Sequence, residues 1–299
     1  MALFICLSFS VQANVEEAYK RIRNNFNQND SFFNHGLNEF RDSKASSFLE
    51  GGMSFNNAVP LTEYQLSRLP DAQFMGREAF YLAYHGRERL IKAGKIKRDT
   101  LLAVVDFSQR SNSRRFYLID LNKEKVIINY FTSHAYNSDK NSDGFADYFS
   151  NVPNSETSSL GFMKTGETYH GMWGYSLRVA GLDSTLNSNV LKRAVVIHGL
   201  GGLDPIQASA GSVSTSQGCF MFSSTESGRF WGFEDKSMNE VIINRMKAGT
   251  LLFAYVDGDR SLFESQWISE DDLPQNIRED EREVPYSEID SFDDILPAE

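Results

Sequence analysis

The chain has 299 residues, enough for one large domain or two small ones, and its 41% hydrophobic content with 23 Phe can supply a sizeable core. Its net charge of −10 is concentrated: residues 261–299 hold 13 acidic side chains against Arg278 and Arg282, while residues 1–260 carry 27 acidic against 28 basic ones. Neither part offers the basic face that nucleic acid requires, which excludes that partner, and no stretch approaches the ~18 uninterrupted apolar residues of a stable membrane insertion.

In chain order, Met1 to Val11 is apolar and ends Val11-Gln12-Ala13, a small-residue cleavage pattern. Residues 1–13 therefore read as a signal peptide with an incomplete n-region, since the first basic residue is Lys20; the expected location is periplasmic or otherwise exported. Cleavage would remove Cys6 and leave Cys219 as the only thiol, and an unpaired thiol in an exported protein is flagged as reactive. Residues 14–98 form a helical N-terminal region. Asn14 with Glu17 resembles a capping box, and Ala18, Ile22 and Phe26 follow at helical spacing, so a helix is expected from Val15 to Asn27. The stretch 28–57 reads as a loop. Pro70-Asp71 opens a second helix with Phe74, Ala79, Leu82, Tyr84 and Leu90 as core contacts and Gly94 as its stop; Gly76 and Gly86 weaken it. His35 and His85 read as surface or packing residues.

The pattern turns to strands in residues 99–260, the second expected unit. Leu101–Phe107, Arg115–Leu121 and Lys125–Phe131 form an antiparallel meander with turn residues between them. The loop after Ser138 carries Asp139, Asn141, Asp143 and Asp147 but lacks the closing Glu of a calcium loop. Met163–Tyr169, Ser176–Val179, Arg193–Ile197, Phe220–Phe222 and Leu251–Val256 supply further strands, and Ser237–Lys247 a helix ended by Gly249. Many short strands with few helices predict an α+β fold, β-rich, as a sandwich or open barrel. The acidic tail, 261–299, reads as solvated, with Trp267 and Ile268 docking on the body.

Chemistry concentrates between Ala194 and Phe222. His198 ends a β-branched run, and Cys219 follows Gly218 directly before another apolar run. A cysteine attacks as thiolate and needs a basic neighbour and partial exposure, which an imidazole on an adjacent strand provides. Ser216, Gln217 and Gly218 lead into the cysteine, where their backbone N–H groups can converge with that of Cys219 on an oxyanion. The alternatives for each residue alone are a buried apolar thiol and a hydrogen-bonded core histidine.

The segment Ser158–Tyr255 resembles the catalytic domain of the L,D-transpeptidases, more closely their murein L,D-transpeptidase (YkuD-like) branch. The motifs are Phe149-Ser150-Asn151, Ser158-Ser159-Leu160-Gly161, Tyr169-His170-Gly171, Gly174-Tyr175-Ser176-Leu177-Arg178, Gly181-Leu182, His198-Gly199 and Ser216-Gln217-Gly218-Cys219. This resemblance implies a cysteine acyltransferase without cofactor or metal, acting on peptidoglycan stem peptides. Cys219 would accept the acyl group of a tetrapeptide stem and pass it to an amine. Water as acceptor would make an L,D-carboxypeptidase. The resemblance also implies that the carbonyl of Gly199 orients His198, that Ser216 holds the oxyanion loop, and that Ser159 and Gly161 line the cleft. Tyr169, Tyr175 and Arg178 are further substrate-side candidates, Arg178 because a guanidinium fork suits a carboxylate; packing is the alternative for all three. His134 matches a family His-Gly position with Ala135 in place of the glycine. No basic residue flanks Cys219 in Ser216-Gln217-Gly218-Cys219-Phe220-Met221, which leaves transfer and hydrolysis both open. Two rivals remain. A zinc hydrolase using His134, His170 and His198 lacks the paired-histidine spacing of such sites, and the other rival is a non-catalytic wall-binding protein.

Overall fold

The β-branched and aromatic runs beginning near Leu101 assemble into one eight-stranded sheet in the computed structural model, which describes residues 15–26, 74–98 and 101–275. The strands are β1 Leu102–Asp106, β2 Phe116–Asp120, β3 Lys125–Tyr130, β4 Gly161–Gly171, β5 Gly174–Gly181, β6 Val196–Leu200, β7 Phe220–Ser223 and β8 Leu251–Tyr255. Their spatial order is β3-β2-β1-β8-β4-β5-β6-β7. The expected meander is present as two antiparallel pairs, β1 with β2 and β2 with β3. The last strand, β8, inserts between β1, to which it is parallel, and β4, to which it is antiparallel.

The expected α+β, β-rich fold is present, and the two ends of the sheet approach each other. Chain leaving β3 meets β7: Thr132 Oγ1 donates to Met221 O (3.2 Å), and Ser133 Oγ accepts from Met221 N (3.0 Å). Across the interior Phe116 meets Phe222 edge-on at 4.7 Å, and Phe107 stacks near Phe220 at 6.4 Å. Large rings on alternate residues fill the space that the curl encloses.

Helix α1, residues 15–26, buries Val15, Ala18, Ile22 and Phe26, the face its spacing predicts. Helix α2, Arg77–Lys92, starts later than Pro70-Asp71 suggests: residues 74–76 are not helical, and Phe74 packs against Tyr19 and Phe26 instead. Gly86, a weak helix former, is the point where α2 touches the sheet, for a Cβ there would lie 2.2 Å from the Phe162 ring. Gly94 ends the helix region at φ +68. Two more helices follow, α3 Pro205–Ser209 and α4 Met238–Met246, the latter opened by a Ser237/Glu240 capping box. Within 261–275 the acidic chain packs on the body: Asp272 takes both Nη atoms of Arg89 at 2.6 Å, and Trp267 Nε1 donates to Leu182 O (2.7 Å). The apolar opening with Cys6, the Asn14 cap, the 28–57 loop with His35, Pro70-Asp71 and the residues beyond 275 lie outside the described residues.

Gly161 starts β4 at φ +84, and a Cβ there would sit 2.4 Å from Asp183 Oδ2, the buried oxygen that accepts from Phe162 N (2.5 Å). Packing against Asp183 thus requires a glycine here. Gly161→Ala combines an unfavourable φ with that clash, so it is expected to cost at least about 3 kcal/mol and lower the melting temperature by roughly 10 °C in a circular-dichroism melt.

Candidate active site

Strand β6 is displaced from its expected span. Residues 189–195 form hydrogen-bonded turns, with Ala194 at φ +53, so pairing begins at Val196 and His198 lies mid-strand. β6 and β7 run parallel, with Ile197 opposite Phe220 and His198 opposite Met221. Strand alternation sends Ile197, Phe220 and Phe222 into the core, and turns Val196, His198 and Met221 to the other face. Cys219, one residue before β7, falls on the His198 face, diagonal to it. The strand spacing and rise put diagonal Cα atoms about 8 Å apart, within reach of two side chains.

The imidazole is 3% exposed, and its Nδ1 lies 3.1 Å from Gly199 O. A carbonyl oxygen only accepts, so Nδ1 carries the proton and Nε2 is left as the basic nitrogen. The opposite constraint comes from the β4–β5 hairpin tip: the Trp173 ring, 51% exposed, stacks on His198 at 5.2 Å and 21°. Burial pushes the imidazole below its ordinary pKa, with the Gly199 bond opposing. Burial also raises the thiol of Cys219, countered by Val196 N–H and the Arg193 charge. Neutral imidazole and neutral thiol are therefore the resting forms near pH 7. The half-buried thiol donates to Ala194 O (3.8 Å) and, among the described residues, makes no hydrogen bond to His198.

The turn before Cys219 is tightly braced. Ser216 N donates to His134 O (2.8 Å), Ser216 Oγ donates to Cys219 O (2.8 Å), and the same oxygen accepts from Gly218 N (3.1 Å). The Gly218 amide is thus committed inside the turn, whereas the sequence pattern puts it toward an oxyanion. Gly218 has φ +125, and a Cβ there would lie 3.2 Å from Thr157 O and 3.3 Å from Arg193 Nη2. Behind the turn His134, 2% exposed, takes Arg115 Nη2 on its Nδ1 at 3.2 Å. Burial and that guanidinium push His134 down to about 3, so it is a neutral brace.

The other expected site residues divide. Arg178 is opposite Val196, and Tyr169 opposite Ser176, so both share the His198 face; the guanidinium of Arg178 lies 4.5 Å from the Tyr169 ring. Tyr175 falls on the opposite face, where its hydroxyl donates to Asn244 Oδ1 of α4 (3.1 Å). Ser159 is buried, and its Oγ accepts from Arg193 Nη1 (2.6 Å), so packing explains it. Among the described residues no group of three His, Cys, Asp or Glu side chains is arranged to hold a metal ion. No helix among them is long and apolar enough to cross a membrane. The sequence reading missed Trp173 and Arg193. Each lies in a turn with no local pattern to mark it, and only the curl of the chain brings it to the histidine and cysteine.

None of the curated proteins compared with the chain matches it. The family model of the L,D-transpeptidase catalytic domain matches residues 72–255, a span that takes in α2 and all eight strands. With more than half of the chain matched, and with His198 on β6 and Cys219 at the entry to the parallel strand β7, this protein belongs to the L,D-transpeptidase catalytic-domain family, whose members act on the peptidoglycan of the cell wall.

Proposed function

We propose that the protein is a peptidoglycan L,D-transpeptidase working through an acyl-enzyme on Cys219. The observation that carries this reading is the shared face of His198 and Cys219, with Nδ1 of the histidine committed to Gly199 O and Nε2 left to act as base. In this reading the thiol turns from Ala194 O toward Nε2 when substrate binds. Because the resting pair is neutral, the proton passes to Nε2 as sulfur attacks the carbonyl of the third, diamino-acid residue of a tetrapeptide stem. The C–S bond forms, the C–N bond to D-alanine breaks, and the imidazolium returns its proton to the leaving amine. A stem amine then attacks the thioester, forms the cross-link amide and releases the thiol. The amides of Gln217 and Cys219 serve the oxyanion, since Gly218 N–H is occupied by Ser216 Oγ. Tyr169 and Arg178 face the substrate, and the work is done outside the cytoplasm, where peptidoglycan lies.

The test is intact mass spectrometry after exposure to a carbapenem, followed by incubation with defined tetrapeptide muropeptides. The expected outcome is one covalent adduct at Cys219 and a cross-linked dimer with D-alanine released. Tripeptide and D-alanine without dimer would assign an L,D-carboxypeptidase. Neither adduct nor product from the folded protein would leave a non-catalytic wall-binding role and overturn the proposal.

A further inference from the structure

A strong positive charge beside the nucleophile comes from outside its own segment. Arg193 Nη1 donates to Ser150 O and Ser159 Oγ, both at 2.6 Å, and Nη2 donates to Thr157 O (2.6 Å) and Ser155 Oγ (3.3 Å). These four bonds use all four Nη hydrogens, and every acceptor is neutral. Among the described residues no carboxylate forms an ion pair with Arg193. A half-buried guanidinium with a saturated fork and no counter-charge has lost solvation without gaining a partner anion, which is unfavourable unless an anion appears nearby. The Gly218–Cys219 turn borders the guanidinium, since a Gly218 Cβ would lie 3.3 Å from Nη2.

Resting on the reading of Cys219 as nucleophile, we infer that Arg193 is a positioning residue that holds the wall of the cleft with its hydrogen bonds and steadies the Cys219 thiolate with its charge. The four Nη hydrogens are taken and, among the described residues, no hydrogen bond runs from Arg193 to the Cys219 sulfur, so its action on the thiolate is electrostatic. Arg178 differs: it is exposed, stacked on Tyr169 and, among the described residues, without a hydrogen-bond acceptor, so a stem carboxylate can engage it. Burial raises the thiol and lowers the guanidinium, and the attraction between Arg193 and Cys219 opposes both shifts, favouring the charged form of each. Other charged or titratable groups around the thiol are His198 on β6, Arg178 on β5, His134 behind Ser216, and Glu156, whose Oε1 accepts from Gln217 Nε2 (3.2 Å). Arg193 supplies the basic group that the residues flanking Cys219 lack.

The experiment is the pH profile of iodoacetamide alkylation in the full chain, read at the Cys219 peptide by mass spectrometry so that Cys6 does not contribute. Arg193→Met is expected to raise the midpoint by about one pH unit, a roughly tenfold slower alkylation at any pH below it. Arg193→Lys, which keeps the charge and loses the fork, should shift it by less than half as much, although both variants lower the melting temperature. Equal midpoints for wild type and Arg193→Met, or equal shifts for Met and Lys, overturn the inference. Should Arg193→Met not fold, Ser155→Asp sets a carboxylate against Nη2 and keeps the fork, and its midpoint must rise; an unchanged one overturns the inference. Alkylation does not depend on turnover, so a carbapenem adduct missing from wild type sinks the proposed function separately.

Discussion

Cys219→Ala is expected to abolish the carbapenem adduct and to lower D-alanine release from a tetrapeptide stem by about 10⁴-fold or more, to the background without enzyme. Its fold should survive, because the thiol is held only by a long hydrogen bond to Ala194 O at 3.8 Å and by Val196 N–H, and is only half buried. His198→Gln should slow acylation by about 10²–10⁴-fold, the range that a positioned general base contributes. It should also change the pH profile. Burial holds the imidazole below its ordinary value of 6.5, and only the neutral ring can take the thiol proton. Activity is therefore present above that depressed pKa and lost as pH falls through it, and His198→Gln should erase this acid limb. A wild-type profile without an acid limb, from a protein that remains folded, would remove His198 from the role of base.

Gly218→Ala should also cost heavily, about 10²–10³-fold in acylation rate, with a much smaller effect on the melting temperature. The added methyl meets Thr157 O and Arg193 Nη2 at 3.2 and 3.3 Å in a backbone region that L-residues rarely adopt, at φ +125. The turn must shift, and with it the amides of Gln217 and Cys219. An alternative is that the turn serves only packing. Stopped-flow acylation alongside a thermal melt separates the two, since a packing role predicts proportionate losses in both measurements. Equal acylation rates in Gly218→Ala and wild type would place the oxyanion donors elsewhere.

The legible parts of this protein were those governed by local periodicity and by residue type. Ala18, Ile22 and Phe26 mark the buried face of α1, and the meander of β1 to β3 follows from its β-branched runs and turn residues. His198 and Cys219 stood out because few side chains can act as base or nucleophile, and Gly199 was expected as the carbonyl that orients the ring. The errors had physical causes. The β6 start was set too early because Arg193–Val195 suits a strand by composition, yet Ala194 takes a left-handed turn there. Tyr175 was assigned to the substrate side because a motif does not say which face its residue occupies. For Ser159 and Gly161, expected on the cleft, the structure adds the partners that no motif names, the guanidinium of Arg193 and the carboxylate of Asp183.

By itself the sequence determined which residues can do chemistry, where the strands and helices lie to within a few residues, and that the charge of the chain gathers at one end. These are properties of a residue and its near neighbours. Only the tertiary structure decided that β8 enters between β1 and β4, that Trp173 covers His198, and that Arg193 is the cation beside Cys219. Such placements depend on the register and curl of the whole sheet, which join groups tens of residues apart and leave no mark in any short window of the chain.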